Sequence, residues 1–133
     1  MNRILLIDDD EDYSSVVKMR LEKEGFEVTW SSGCEKAIEV LDKDFAYDLV
    51  ILDVEMPQKN GLATLAHLRH HFKAPKFPNG FTIPVMVATG LQSARLEDIF
   101  ASQNVSGYIK KPFESHALVD QIRKIVEAKA ERT

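Results

Sequence analysis

The chain has 133 residues, of which 44% are hydrophobic and 29% charged, and this balance predicts one soluble globular domain with a single core. The formal net charge of −4 argues against direct binding of nucleic acid, because such binding needs a clustered positive surface. The single cysteine, Cys34, cannot form an internal disulfide, and no apolar run approaches the ~20 residues of a membrane span. Because the sequence also shows no signal peptide, we expect a cytoplasmic protein.

Apolar stretches of strand length alternate with stretches of helical periodicity along the chain. The strand candidates are residues 3–8, 26–30, 49–53, 83–89 and 107–110. The first, third and fourth are nearly continuous in Ile, Leu, Val and Met, which favours strands that are covered on both faces. The second and fifth are shorter and more polar, which favours the two edges of the sheet.

Five helices are predicted from apolar residues that recur with a 3.6-residue period. The first is marked by Val17 and Leu21 and ends at Gly25, and the second follows a capping-box pattern of Ser32 and Glu35. The later three follow apolar residues within 62–68, 96–100 and 118–126. This alternation predicts an α/β fold in which a parallel sheet lies between two layers of helices, with right-handed crossovers.

We expect a single domain over residues 1–133, since the sequence shows no second domain, no internal repeat and no low-complexity segment. One connection is unusually long. Residues 71–82 include Pro75, Pro78 and Gly80 and predict an extended loop before the fourth strand. Loops of this length in compact domains tend to be functional or mobile.

Polar residues follow the predicted strands at their carboxyl ends. Asp8 and Asp9 follow the first strand, Asp53 ends the third, Thr89 ends the fourth, and Lys111 follows the fifth. Sites in parallel sheets lie at the carboxyl ends of the strands, so these side chains are expected to converge. Crowded carboxylates suit Mg²⁺, which prefers oxygen ligands and also binds phosphate oxygens. A nearby hydroxyl and ammonium would stabilise a transferring phosphoryl group, with Asp53 as the nucleophile.

Four stretches resemble the receiver domains of two-component response regulators, the CheY-like superfamily. They are ILLIDDDED at 4–12, DLVILDVEMP at 48–57 with Gly61, PVMVATG at 84–90, and GYIKKPF at 107–113. Each alone is weak, but together and in this order they cover essentially the whole chain. The resemblance implies a flavodoxin-like, CheY-like three-layer sandwich, with strand order 2-1-3-4-5 and five flanking helices.

The resemblance implies a metal site around the acceptor. Asp53 is the implied phosphoacceptor, which also contacts the metal. Asp8 and Asp9 are the implied acidic pair, with Asp9 the direct ligand and Asp8 acting through water. Glu55 would lend its backbone carbonyl to the same Mg²⁺ ion.

The resemblance also implies how a phosphoryl group would act on the domain. Thr89 resembles the hydroxyl that moves to a phosphoryl oxygen, and Lys111 resembles the lysine that pairs with it. Tyr108 resembles the aromatic switch that turns inward as Thr89 moves. The implied catalytic set comprises Asp53, Thr89 and Lys111.

The implied function is a phosphoacceptor switch rather than an enzyme that acts on other molecules. A sensor histidine kinase or phosphotransfer protein would donate the phosphoryl group, and the domain would catalyse only its own phosphorylation and dephosphorylation. The fourth helix, fifth strand and fifth helix, roughly residues 92–103 and 106–127, would then bind an effector protein or output domain. Neither nucleic acid nor membrane is an expected partner of this domain.

Ordinary structural interpretations stand beside these roles. Asp10 fits a helix N-cap, and Tyr108 fits edge-strand packing as well as it fits a switch. The histidines His67, His70 and His71 fit a solvated helix end, where cationic side chains complement the helix dipole, better than a metal site.

Three other functional classes compete with the switch. A Mg²⁺-dependent phosphatase of the haloacid-dehalogenase type needs an aspartate where Glu55 stands, and no cap domain is evident. A pseudo-receiver that never takes phosphate is disfavoured by the intact set of acids, hydroxyl and lysine. A nucleotide-binding Rossmann domain needs a glycine-rich turn after the first strand, where this chain has aspartates.

Overall fold

The computed structural model describes residues 2–53, 61–89, 105–110 and 115–132. The elements within these ranges are, in chain order, β1 (Arg3–Ile7), α1 (Glu11–Lys23), β2 (Glu27–Ser31), α2 (Cys34–Lys43), β3 (Leu49–Asp53), α3 (Gly61–His71), β4 (Val85–Thr89), β5 (Gly107–Lys110) and α4 (Ser115–Arg132). The helix predicted around residues 96–100 lies outside the described ranges, so α4 is the fifth of the predicted helices. Within the described ranges, no helix has the length and apolar character needed to cross a bilayer.

All five strands pair in parallel in one sheet of order β2-β1-β3-β4-β5. Leu6 of β1 stands between Trp30 of β2 and Ile51 of β3 in the register. The fold class and strand order expected from the sequence are therefore confirmed. β2 and β5 form the two edges, as their more polar sequences predict.

The two faces of the sheet carry separate apolar cores. Successive strand residues point to opposite faces, so a continuously apolar strand covers both. On one face Leu5 and Ile7 pack with residues of α2 and α3, such as Leu41 and Leu65. On the other face the core lies under α1 and α4 and includes Ile4, Leu6, Val17, Leu21, Leu118 and Ile122. This double burial is the physical reason for the nearly continuous apolar runs in β1 and β3.

The start of α2 differs from the prediction. The capping box of Ser32 and Glu35 is not formed, because the helix begins at Cys34 and its N-cap is Gly33, with no side-chain hydrogen bond. The helix thus starts one residue later than the pattern requires, which leaves Ser32 outside the N-cap position. The start of α1 follows the expected chemistry, since Asp10 is its N-cap and its carboxylate accepts the N–H of Tyr13 at 3.0 Å.

Residues 72–84 connect α3 to β4 through turns, without a helix or strand. Four phenylalanines hold this connection against the end of α2. Phe72 is fully buried, and its ring centroid lies 5.1 Å from that of Phe45, 4.9 Å from Phe77 and 6.0 Å from Phe81. The Ala74–Pro75 peptide bond in this segment is cis. The aromatic cluster ties the long connection to the core on the α2 and α3 face.

Candidate functional site

Three carboxylates meet at the carboxyl edge of the sheet. Oxygens of Asp8, Asp9 and Asp53 lie within 4.8 Å of one another. Asp8 follows β1 and Asp53 ends β3, and these strands are neighbours whose last registered pair is Ile7 with Leu52. Asp8 is 1% exposed and Asp53 is 4% exposed, whereas Asp9 is exposed. Two carboxyl groups are therefore held inside the sheet edge, and the third stands beside them in solvent.

Hydrogen bonds fix the backbone and side chain of Asp8. Its N–H donates to the carbonyl oxygen of Ser31 at 3.1 Å, and its carboxylate accepts the N–H of Asp10 at 2.9 Å. Its own carbonyl oxygen accepts the indole N–H of Trp30 at 2.8 Å. Because Asp10 is also the N-cap of α1, the turn from Asp8 to Asp10 is bonded to β2 on one side and to α1 on the other.

The donor set fits a hard divalent cation. Like charges at this separation repel one another, and burying an ionised carboxylate is costly unless the charge is compensated. A cluster of carboxylate oxygens with one exposed member is suited to Mg²⁺, which keeps several waters and is bound through one or two carboxylates. Within the described ranges, this is the one group of three or more possible ligand residues close enough to hold a metal ion.

The other expected site residues are only partly within the described ranges. Thr89 ends β4 and is registered with Lys110 of β5, so its backbone lies at the same sheet edge, next to the strand that carries Asp53. Glu55 and Lys111 lie outside the described residues, and so does the whole of the implied response helix at residues 92–103.

Tyr108 lies in the middle of β5, registered with Val87 of β4. Its half-buried side chain packs against the core on the α2 and α3 face, and its phenol oxygen is buried. The ring therefore has a packing role in this structure. An inward position also suits the switch role, so the structure accommodates both interpretations of Tyr108.

No role in building the site was predicted for Trp30, although it stands at the end of the second strand. The contact with Asp8 depends on the register between β1 and β2 and on the side-chain direction of Trp30. The available signal was a residue with a long side chain and an N–H donor beside a strand end rich in acids. The histidines of α3 are not part of the acidic site, and His71 instead lies 3.0 Å from the carboxylate of Asp42 on α2.

Comparison with protein families matches residues 4–123 to the family described as the response regulator receiver domain. Among curated proteins, the chain is 37% identical over 126 residues to the transcriptional regulatory protein CpxR of Escherichia coli, a match that covers 95% of this chain and 50% of CpxR. It is 29% identical over 125 residues to the transcriptional regulatory protein SrrA of Staphylococcus aureus, covering 94% of this chain and 48% of SrrA. The chain spans about half the length of these curated relatives.

Solved structures agree with the fold. A response regulator receiver domain protein from Clostridium thermocellum superposes with a TM-score of 0.84 at 22% identity, over 100% of both chains. The BeF₃-activated N-terminal receiver domain of Klebsiella pneumoniae RstA gives a TM-score of 0.78 at 24% identity, over 94% of this chain and 98% of that one. At these identities the likeness shows the shared fold alone.

Proposed function

Because this chain belongs to the family of response regulator receiver domains, we propose that Asp53 accepts a phosphoryl group in a Mg²⁺-dependent reaction and thereby switches a protein-binding surface. One observation carries the assignment of the site. Carboxylates from the ends of two neighbouring core strands lie within 4.8 Å of one another, and Asp53 is one of them.

The chemical step is the transfer of a phosphoryl group to a carboxylate oxygen. An oxygen of Asp53 attacks the phosphorus of a donor phosphohistidine, an O–P bond forms, and the P–N bond breaks. The imidazole leaves with the bonding electron pair. Asp53 ends β3, whose five residues are all buried, so its carboxylate is held at a fixed place while the donor approaches from the solvent side.

The acidic residues hold the cation in this proposal. Asp9 would bind Mg²⁺ directly and Asp8 would bind it through water, with further contacts from Asp53 and from the backbone carbonyl of Glu55. When bound, the ion would neutralise the charge of the carboxylates and of the incoming phosphoryl oxygens. The buried position of Asp8 and the exposed position of Asp9 support this division, because the exposed carboxylate can reach an ion without displacing the core.

The response follows from new contacts of the phosphoryl group. Thr89 and Lys111 bind its oxygens, and Tyr108 adjusts as Thr89 moves, which biases a pre-existing equilibrium toward an active form. The surface that responds comprises residues 92–103 and 106–127, and α4 provides much of its described part. Contact of β5 with β4 along the register from Gly107 to Lys110 supports a direct path from Thr89 to this surface.

The partners in this proposal are a histidine kinase or phosphotransfer protein that donates the phosphoryl group, and an effector protein or output domain that receives the signal. The curated relatives are about twice as long as this chain and are named transcriptional regulatory proteins, which supports an output domain. The domain itself promotes only its own phosphorylation and dephosphorylation. A cytoplasmic location is part of the proposal, since one cysteine leaves no internal disulfide to form.

Labelling with a small phosphodonor tests the proposal. Acetyl phosphate with Mg²⁺ should add one phosphoryl group to the chain, as measured by intact mass, and EDTA should prevent the addition. Asp53→Asn should remove the label, whereas Asp120→Asn, an exposed site on α4, should not. A label that persists in Asp53→Asn would contradict the acceptor assignment. Repeated turnover of a small phosphate ester would favour the phosphatase instead.

A further inference from the structure

The backbone of Asp8 lies just beyond the last paired residue of β1. The register of β1 ends where Ile7 pairs with Ser31 of β2 and with Leu52 of β3. The N–H of Asp8 still donates to Ser31, but its carbonyl oxygen lies past both ladders. Trp30 supplies the donor, with its indole nitrogen 2.8 Å from that oxygen, which is a well-formed hydrogen bond.

The position of Trp30 explains how its side chain reaches this oxygen. Trp30 is registered with Leu6, two residues before Asp8, or roughly 7 Å along the strand. Its ring packs against the core under α1 and α4 and is half-buried. An indole combines a large apolar body with one N–H donor, so the body is anchored in the core while the donor extends along β1.

The carbonyl that Trp30 binds belongs to the peptide group between Asp8 and Asp9. A peptide group is planar, so holding its oxygen fixes the last backbone angle of Asp8 and the first of Asp9. The carboxylate of Asp8 has a second tie through the N–H of Asp10. Asp9 is exposed, so the direction of its carboxylate depends strongly on this one peptide plane.

We propose that Trp30 is a positioning residue of the metal site, whose indole N–H orients the Asp8–Asp9 peptide so that both carboxylates face the bound cation. This inference rests on the proposed function, because it concerns the same Mg²⁺ site. Trp30 touches neither the cation nor the phosphoryl group in this assignment and acts through Asp8. Its loss therefore weakens metal binding without removing a ligand.

The test compares the wild type with variants of Trp30 that lack the indole N–H donor. Trp30→Phe keeps an aromatic ring in the core and removes the indole N–H. Replacing Trp30 with benzothienylalanine keeps the shape of the indole and exchanges the N–H for sulfur, so this variant preserves packing if Trp30→Phe folds poorly. Mg²⁺ affinity of the full chain is measured by calorimetry, and thermal unfolding is measured in EDTA.

We expect both variants to bind Mg²⁺ about 3- to 10-fold more weakly than the wild type, which is the factor that one net hydrogen bond contributes. The matched control is Tyr47→Phe, which removes the 2.9 Å hydrogen bond to Thr29, the residue before Trp30 on β2. That variant should keep wild-type Mg²⁺ affinity even if its melting temperature falls.

The outcomes separate this inference from the proposed function. If the wild type binds Mg²⁺ and both Trp30 variants bind it equally well, the positioning role is wrong and the metal site stands. If Tyr47→Phe weakens binding as much as the Trp30 variants do, the effect is general loosening of β2, and the positioning role is again wrong. If the wild type binds no Mg²⁺, the metal site itself is refuted, and the role of Trp30 falls with it.

Discussion

Asparagine in place of Asp53 removes one of three negative charges whose oxygens lie within 4.8 Å of one another, while nearly preserving the shape of the side chain. In the absence of a divalent cation these charges oppose folding, because the unfolded chain separates them. We therefore expect Asp53→Asn to raise the free energy of unfolding of the metal-free protein, although the residue ends a fully buried strand.

The magnitude follows from the separation. Two unit charges 4.8 Å apart repel by about 3.5 kcal/mol at an effective dielectric constant of about 20. Most of this repulsion acts between Asp53 and buried Asp8, because solvent screens the charge of the exposed Asp9. The amide that replaces the carboxylate brings N–H donors into a buried position, which offsets about 1–2 kcal/mol. A net stabilisation of about 1–2 kcal/mol is expected.

Urea unfolding followed by circular dichroism measures this change, with one series in EDTA and one in Mg²⁺. In EDTA the midpoint of Asp53→Asn should exceed that of the wild type. In Mg²⁺ the wild type gains stability as the ion binds the folded state, so the difference should shrink or reverse. Asp120→Asn makes the same change in net charge at an exposed site on α4 and should shift neither midpoint appreciably.

Two results would refute this reasoning. If Asp53→Asn is no more stable than the wild type in EDTA, the clustered carboxylates do not repel one another as their separation implies. If Asp120→Asn stabilises the metal-free protein equally, the effect belongs to the net charge of −4 rather than to the cluster.

Two further predictions concern parts of the fold away from the site. The Ala46 N–H and the Arg3 guanidinium, which donate to the Asp44 carboxylate at 3.0 and 2.7 Å, hold its pKa below the ordinary value. A carboxyl group whose pKa is lowered by folding stabilises the protein at pH values above its ordinary pKa. This stability is lost as the pH falls through the pKa of the folded state. The loss of stability caused by Asp44→Asn should thus become small in strongly acid solution. If denaturant titrations show the same loss there, the interaction of Asp44 with Arg3 and Ala46 does not act through its charge. Phe72→Ala should cost about 3–5 kcal/mol in urea unfolding, because the ring is fully buried. Half-buried Phe77→Ala should cost less, and an equal cost would show that burial does not set the contribution of these two rings.

Most of the architecture could be predicted because the sheet is covered on both faces. β1 and β3 need apolar residues at every position, and that pattern also separates central strands from the edges. The carboxyl ends of neighbouring parallel strands must lie together, so the meeting of Asp8, Asp9 and Asp53 followed from the strand order.

The details that could not be predicted depend on shifts of a single residue or on one side-chain direction. The prediction of a capping box before α2 was wrong because the helix starts one residue later, at Cys34. Sequence patterns do not place helix ends to within a single residue. The hydrogen bond from Trp30 to Asp8 requires both the register of β1 with β2 and a particular rotamer. Neither is encoded in local periodicity.

The burial of β1 and β3 explains why the acidic cluster persists against its own repulsion. The residues from Ile4 to Ile7 and from Leu49 to Leu52 are each no more than 3% exposed. Burying one such side chain contributes about 1.5–3 kcal/mol, so moving either strand to separate the carboxylates would cost more than the repulsion it relieved. The backbone therefore holds the carboxyl groups in place, and in the proposed function a bound cation would relieve their repulsion. In the proposed reaction, a phosphoryl group on Asp53 would add negative charge to the same corner, and groups outside these rigid strands would respond to it. Under the proposed function, the fixed position of the acidic cluster would let phosphorylation act on groups beyond these strands and so on another surface.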